Sequence, residues 1–317
     1  MPSSRPSILL TGVTGQVGGE LYNCLQHLGN VVPTVARGER FNSKSIEMDL
    51  TDPDSITQVC ATVRPSLIVS PAAYTAVDKA EQDEKTAFAV NAVAPGVLAE
   101  CAKKYGAAMV HYSTDYVYPG VGSEPHTELS PVGPINVYGK SKLAGDEAIA
   151  ASGVPYLILR TSWVFGIFGH NFVRTMLKLG SEREVLKVIN DQIGSPTSAR
   201  TLADVTAMML ASVRTKHGFA ALSERGGVYH VTNSGFTSWY DFALEIFRQA
   251  KLRGVHLKVK DVEAIPTESY PTPARRPKNS RLSLAKLADN FGITPARWED
   301  GLSCKLMHLN VDDGLKV

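Results

Sequence analysis

The sequence predicts an α/β chain, a doubly wound parallel sheet covered on both faces by helices and followed by a smaller C-terminal lobe. Three observations predict it. Short runs of branched apolar residues alternate with longer segments of helical period up to residue 162. These runs are continuously apolar rather than alternating, as expected of strands buried on both faces of a parallel sheet. The first run leads directly into a glycine-rich turn and a helical segment, the order in which such sheets open a ligand crevice.

Taken in order, strands are expected at 7–11 (SILLT), 31–36 (VVPTVA), 66–72 (SLIVSPA), 108–114 (AMVHYST) and 156–162 (YLILRTS), with helices near 16–28, 54–63, 84–104 and 138–152. Beyond residue 162 the pattern is less regular. LKVIN at 186–190 and GVYHVT at 227–232 read as strands, and helices are expected near 170–180, 200–213 and 239–252. The stretch AIPTESYPTPARRPKNSRL at 264–282 cannot be a long helix or a central strand, because proline removes an N–H donor and fixes φ. An ordered loop crossing the surface is expected there. There is no internal repeat and no low-complexity tract. Residues 1–162 are therefore expected to form a first domain, with the elements near 185–232 added to it, and residues 163–317 mainly a second, interleaved lobe.

With 317 residues the chain is long enough for about two domains and a cleft between them. Hydrophobic residues make up 44% and charged residues 20%, the balance of a globular protein, and a net charge of +2 gives no broad basic footprint for nucleic acid or an anionic membrane. Any anionic ligand must be held locally. No segment approaches the ~18 apolar residues of a membrane span. The N-terminal MPSSRPSILL enters the glycine turn without the apolar core and cleavage site of a signal peptide, so a cytoplasmic location is expected. The four cysteines, Cys24, Cys60, Cys101 and Cys304, form no Cys-x-x-Cys pair, and the first three fall in expected helices as small buried hydrophobes. Neither a thiol nucleophile nor a zinc site is indicated.

The turn TGVTGQVGGEL places Gly12, Gly15 and Gly18 at G-x-x-G-x-x-G spacing between a strand and a helix. Backbone N–H groups and the helix dipole at such a junction suit a pyrophosphate. Gly12 permits the tight turn, Gly15 the approach of phosphates and Gly18 close packing of helix on strand, with Gln16 and Val17 in the same cofactor-binding turn. A tight turn that binds nothing would read the same way. At the end of the second strand, VVPTVARGER carries Arg37 and Arg40 and no carboxylate at the strand end. An acidic residue there suits the ribose 2′-OH of NAD, an arginine the 2′-phosphate of NADP, so the pattern leans to NADPH with NADH possible. Both arginines also suit a solvated loop. Asp49 and Leu50 are expected as walls of an adenine pocket.

In NVYGKSKLAGDE, Tyr138 and Lys142 are four apart at the start of an expected helix and share a face, whereas Lys140 points away. An ammonium beside a phenol favours the phenolate and brings tyrosine acid–base chemistry nearer neutral pH. A solvated lysine on an amphipathic helix gives the same spacing.

With a glycine turn at the start and Tyr-x-x-x-Lys later, the chain resembles the extended short-chain dehydrogenase/reductase family, whose cofactor domain is of Rossmann type. AAYTAVDKAE at 72–81, HYSTDYVYPG at 111–120, NVYGKSKLAG at 136–145, RTSWVFG at 160–166, VINDQIGSPT at 188–197, TSWYDFA at 237–243 and the proline-rich 264–282 are similar to the dTDP-4-dehydrorhamnose reductase branch, in order and over nearly the whole chain.

That resemblance implies reduction of the C4 ketone of a dTDP-linked 4-keto-6-deoxy sugar. It makes Tyr138 the proton donor, Lys142 the group that depresses the tyrosine pKa and holds the nicotinamide ribose, and Thr114 a hydrogen-bond partner of the substrate oxygen or of the tyrosine. Asp115 and Trp163 match positions that contact substrate, the first accepting sugar hydroxyls and the second offering an indole face and one N–H. Ala72, Ala73 and Tyr74 fall where the resemblance places the cofactor, and Asn91 is a structural residue or part of a proton relay. Arg275 and Arg276 are candidates for the diphosphate, although either could be paired with a carboxylate. Relatives that dimerise through magnesium supply several glutamates. Here Glu20 matches one and Arg200 replaces another, so magnesium is not expected to be essential and a monomer or weak homodimer is expected. Two alternatives share the glycine turn and the Tyr/Lys pair: another nucleotide-sugar epimerase or dehydratase, and a non-catalytic dinucleotide-binding regulatory subunit. A dehydratase should add a carboxylate pair beside the threonine, and STDYVYPG has only Asp115.

Overall fold

The structure, a computed structural model, describes residues 5–166, 169–215, 218–219 and 221–307. Its first half runs β1 Ser7–Leu10, α1 Gln16–Leu25, β2 Asn30–Val35, β3 Ile46–Glu47, α2 Pro53–Val63, β4 Leu67–Ser70, α3 Val77–Ala80, α4 Glu84–Phe88, a π-helical turn Ala89–Val93, α5 Ala94–Tyr105, β5 Ala108–Thr114, α6 Val137–Ser152 and β6 Tyr156–Thr161. The remainder runs β7 Val164–Phe165, α7 Phe172–Glu182, β8 Val185–Ile189, β9 Ile193–Gly194, β10 Thr197–Ser198, α8 Ala199–Val213, α9 Leu222–Arg225, β11 Gly227–His230, β12 Thr237–Ser238, α10 Trp239–Leu252, β13 Asp261–Ile265, β14 Asn279–Ser280, α11 Ala285–Phe291 and α12 Trp298–Leu306.

Seven parallel strands form the main sheet in the order β11-β6-β5-β4-β1-β2-β3. Strands of such a sheet are covered on both faces, and β4 and β5 are buried along their whole length. Alternate residues of β1 feed opposite layers. Ile8 and Leu10 pack with Leu21 and Leu25 of α1 and Leu202 and Leu210 of α8, whereas Leu9 packs with Ile56 and Cys60 of α2, Leu98 and Cys101 of α5 and Ile149 of α6. Chain order reverses between β1 and β4, and this switch point opens a crevice at their C-terminal ends.

A separate apolar cluster of Phe165, Leu177, Phe242, Ile246, Trp298 and Leu302 joins β7, α7, α10 and α12. Of the two later strands expected, β11 extends the main sheet, but β8 pairs with β13 in a two-stranded sheet of its own. The proline-rich stretch is tied down at several points rather than loose. His126 N donates to Arg281 O, Asn279 N to Gly120 O, and Pro277 packs on Gly120. No helix among the described residues is long and apolar enough to cross a membrane.

Candidate active site

A cavity of about 910 Å³ occupies the crevice. The glycine turn after β1 forms one wall. Gly12 has φ +58°, and a Cβ at Gly18 would lie 2.1 Å from the Gly12 carbonyl oxygen, so both positions require glycine. Gly15 precedes α1 without a side-chain cap, which leaves the first-turn N–H groups of Gln16, Val17 and Gly18 open toward the cavity they border. Arg37, Asp49, Leu50, Ala72 and Ala73 also line it. Thr51 hydrogen bonds hold the Asp49 carboxyl below its usual range. Such a glycine cradle fits a dinucleotide.

Tyr74, expected among the cofactor residues, is not part of this lining. Its hydroxyl donates to Asp83 at 3.2 Å and its backbone N–H to Asn91 Oδ1 at 2.8 Å. Asn91, fully buried in the π-helical turn, also donates to Tyr74 O and to Ser141 Oγ, so it fastens this loop to α6.

Tyr138 and Lys142 border the same cavity as the glycine turn. Asn136 sets the start of α6: its Oδ1 accepts from Gly139 N at 2.7 Å, which brings Tyr138 into the first turn. The expected depression of the phenol is not found. Burial pushes Tyr138 well above the ordinary tyrosine value, with Thr114 pulling the other way and the nearby Asp115 adding to the rise. The Lys142 ammonium is instead engaged by strand β5, donating to Tyr112 O at 2.6 Å and to His111 Nε2 at 3.0 Å. Burial lowers Lys142 to about 8, against the charge of Asp146.

Thr114 ends β5, where its Oγ1 accepts from Tyr116 N and donates to Asp115 Oδ1, each at 3.2 Å. Asp115 is 2% exposed, its Oδ2 has no hydrogen-bond partner, and burial raises its carboxyl to about 7. The Tyr116 and Tyr138 rings meet edge to face with centroids 5.7 Å apart, and the Arg276 guanidinium lies 6.0 Å from the centre of the Tyr116 ring.

Trp163 departs from expectation. One indole face is stacked on Trp239 at 3.6 Å, and Gly194 lies so close that a Cβ there would be 2.7 Å from the Trp163 ring. The stacked face is therefore closed to a sugar or base. Its φ of +49° is a strained conformation for a bulky residue, held by this packing. Arg276 is not a free cation either, since it pairs with Asp78 at 2.6 Å. Arg275 is exposed, and its carbonyl accepts from Asn136 Nδ2 at 2.8 Å.

Sequence reasoning missed several residues here. Glu39 also lines the cavity and accepts from Thr14 Oγ1 at 2.7 Å, so a carboxylate does stand near Arg37. The signal lay in VVPTVARGER, two residues beyond Arg37, where Gly38 at φ +82° turns the chain back. Asn136 and His111 lay inside the motifs already singled out, but the contacts of Asn136 with Arg275 and of His111 with Lys142 join distant segments. Arg200 forms an i,i+4 pair with Asp204 at 2.8 Å, and the Glu20 carboxylate acts electrostatically on both Arg200 and Lys305. Among the described residues no group of three or more His, Cys, Asp or Glu side chains is placed to hold a metal ion.

Residues 6–311 match the family model of the RmlD substrate binding domain. The dTDP-4-dehydrorhamnose reductase of Escherichia coli (strain K12) is 43% identical over 305 residues, 96% of this chain and 98% of that protein. The protein of the same name from Burkholderia thailandensis is 46% identical over 293 residues, 92% of this chain and 95% of its own. A crystal structure of dTDP-4-dehydrorhamnose reductase from Bacillus anthracis in complex with NADP is 35% identical, with a TM-score of 0.83 over 96% of this chain and 100% of that one. At 20% identity, the Thermus thermophilus UDP-glucose 4-epimerase shares the fold, with a TM-score of 0.79. The chain thus belongs to the dTDP-4-dehydrorhamnose reductase family, that of the RmlD substrate binding domain.

Proposed function

We propose that the protein reduces dTDP-4-dehydro-6-deoxy-L-mannose to dTDP-L-rhamnose with NADPH, and accepts NADH less well. The observation that carries this reading is the meeting of Tyr138, Lys142 and the glycine turn around one cavity. When bound, the dinucleotide supplies the hydride. The protein's own residues must orient the sugar, exclude water and deliver a proton to the C4 oxygen.

Tyr138 is the proton donor. A phenol held above its ordinary pKa is fully protonated at neutral pH, and the alkoxide formed at C4 is a stronger base than a phenolate, so transfer is downhill. Depression by Lys142 is unnecessary in this direction. Lys142 binds the nicotinamide ribose, and Thr114, its hydroxyl turned from Asp115 Oδ1, donates toward the ketone oxygen, where donors act on charge that develops in the transition state. Asp115, with an unpartnered oxygen, accepts a sugar hydroxyl. Trp163, half-buried, contributes the surface that Trp239 and Gly194 leave open, and Arg275 holds the diphosphate while the Arg276–Asp78 pair shapes the wall beside Tyr116. The lobe beyond residue 162 then forms the sugar-nucleotide side of the cleft. Arg37 favours the 2′-phosphate of NADPH, and Glu39 offers an acceptor to the 2′-OH of NADH.

The test is turnover of the 4-keto-6-deoxy dTDP sugar with each dinucleotide, followed by loss of reduced-nicotinamide absorbance and by identification of the sugar product. Rhamnose nucleotide formed faster with NADPH supports the reading. Binding of the dinucleotide without turnover contradicts it.

A further inference from the structure

The buried surroundings of Lys142 carry a role for two residues outside the reacting set. Lysine has three N–H donors and no acceptor. Two are consumed inside the protein, by Tyr112 O at 2.6 Å and His111 Nε2 at 3.0 Å, which leaves one for the cavity that Lys142 borders. His111 is 0% exposed and Lys142 1%, so water cannot substitute for either contact. Because the ammonium can only donate, His111 Nε2 must be the unprotonated nitrogen. Asp146, one helical turn after Lys142, faces the same imidazole with Oδ1 4.0 Å from Nε2, and this oxygen makes no hydrogen bond. Its Oδ2 is held by Ser113 Oγ at 2.8 Å and Arg160 Nε at 3.2 Å.

We propose that His111 is a positioning residue for the Lys142 ammonium, fixing it by an accepted hydrogen bond so that the remaining N–H points at the dinucleotide, while Asp146 supplies the negative charge that keeps the amine protonated. This deepens the reading of the cavity as a dinucleotide site and rests on it. The charged and titratable groups concerned are His111 on β5, Asp146 and Tyr138 on α6, and Arg160 on β6, which partners Asp146. Burial, together with the Lys142 charge, keeps His111 neutral by pushing it well below its ordinary value, so it remains an acceptor across the physiological range. With Lys142 lowered to about 8, the ammonium is present below that pH and lost as pH rises through it.

The experiment is fluorescence titration of the full-length protein with NADPH across the neutral to alkaline range, beside thermal unfolding. In the parent, affinity should fall as pH rises through about 8. His111→Leu removes the acceptor, so the fall should move to lower pH and affinity at neutral pH should drop about tenfold, the usual scale of a hydrogen bond to a charged group. His111→Gln, whose Oε1 reaches a similar position, should restore most of it. Asp146→Asn keeps the Ser113 and Arg160 contacts in an uncharged form and should also shift the fall downward, which serves if His111→Leu does not fold. A folded His111→Leu or Asp146→Asn protein with the parental pH profile overturns the proposal. A parent that binds no dinucleotide at any pH overturns the cavity reading itself, and the proposal with it.

Discussion

The Asn136 amide donates to the Arg275 carbonyl at 2.8 Å, while the same side chain's oxygen caps the helix that carries Tyr138. One 3%-exposed residue thereby sets both the start of α6 and the position of the loop bearing the diphosphate candidate. Asn136→Asp keeps an oxygen for the cap and loses the donor. We expect sugar-nucleotide KM to rise roughly fivefold, the worth of about one hydrogen bond, with dinucleotide affinity unchanged. Equal loss of both affinities would show that the residue acts only through the helix.

Arg275 and Arg276 should respond differently to alanine. Arg275 is exposed and its side chain has no ion pair among the described residues, so Arg275→Ala should raise sugar-nucleotide KM and leave the unfolding temperature unchanged. Arg276→Ala abandons Asp78 and a half-buried wall, and should lower the unfolding temperature as well as raise KM. Steady-state kinetics and calorimetry on both variants check this, and an unchanged KM in both would remove the pair from diphosphate binding.

Asp115 makes a pH prediction whose sign is fixed. Burial raises its carboxyl from 3.8 to about 7, so its contribution to stability is fully present below the unfolded value and is lost as pH rises through about 7. Asp115→Asn cannot ionise. Its unfolding temperature relative to the parent should therefore climb from about pH 4 to about pH 7 and level off above that, at a rate near 2–4 °C per kcal/mol. A constant difference across that range would mean that Asp115 keeps an ordinary carboxylate pKa.

Turnover should be indifferent to metal. Arg200 and Lys305 both lie within the electrostatic reach of Glu20, and cationic side chains cannot ligate a cation. Activity in excess chelator is expected to equal activity in magnesium. Loss that only magnesium reverses would contradict this.

The α/β architecture was legible because its signals are local. Continuous apolar strands, helical period and the strand-glycine-helix junction each depend on a few neighbouring residues, and all the main-sheet strands except the two-residue β3 were expected. The short pairings were not legible. β9 has two residues and is defined by β12 and β14, over forty and eighty residues away in the chain, so no period exists to detect. At the site, Tyr138 and Lys142 follow from helical spacing, and their meeting with the glycine turn follows from the fold. What each charged or aromatic side chain touches does not. Lys142 turns to His111, Arg276 to Asp78 and Trp163 to Trp239 through contacts between distant segments.

The central claim is that the Tyr138 hydroxyl gives its proton to the sugar while the rest of the site stands unchanged. Single-turnover reduction by Tyr138→Phe, measured with NADPH affinity on the same preparation, tests it most directly. The rate should fall on the order of 10²- to 10⁴-fold, as expected for loss of a general acid, with NADPH bound as in the parent. A phenylalanine protein that reduces the keto sugar at the parental rate would contradict the account.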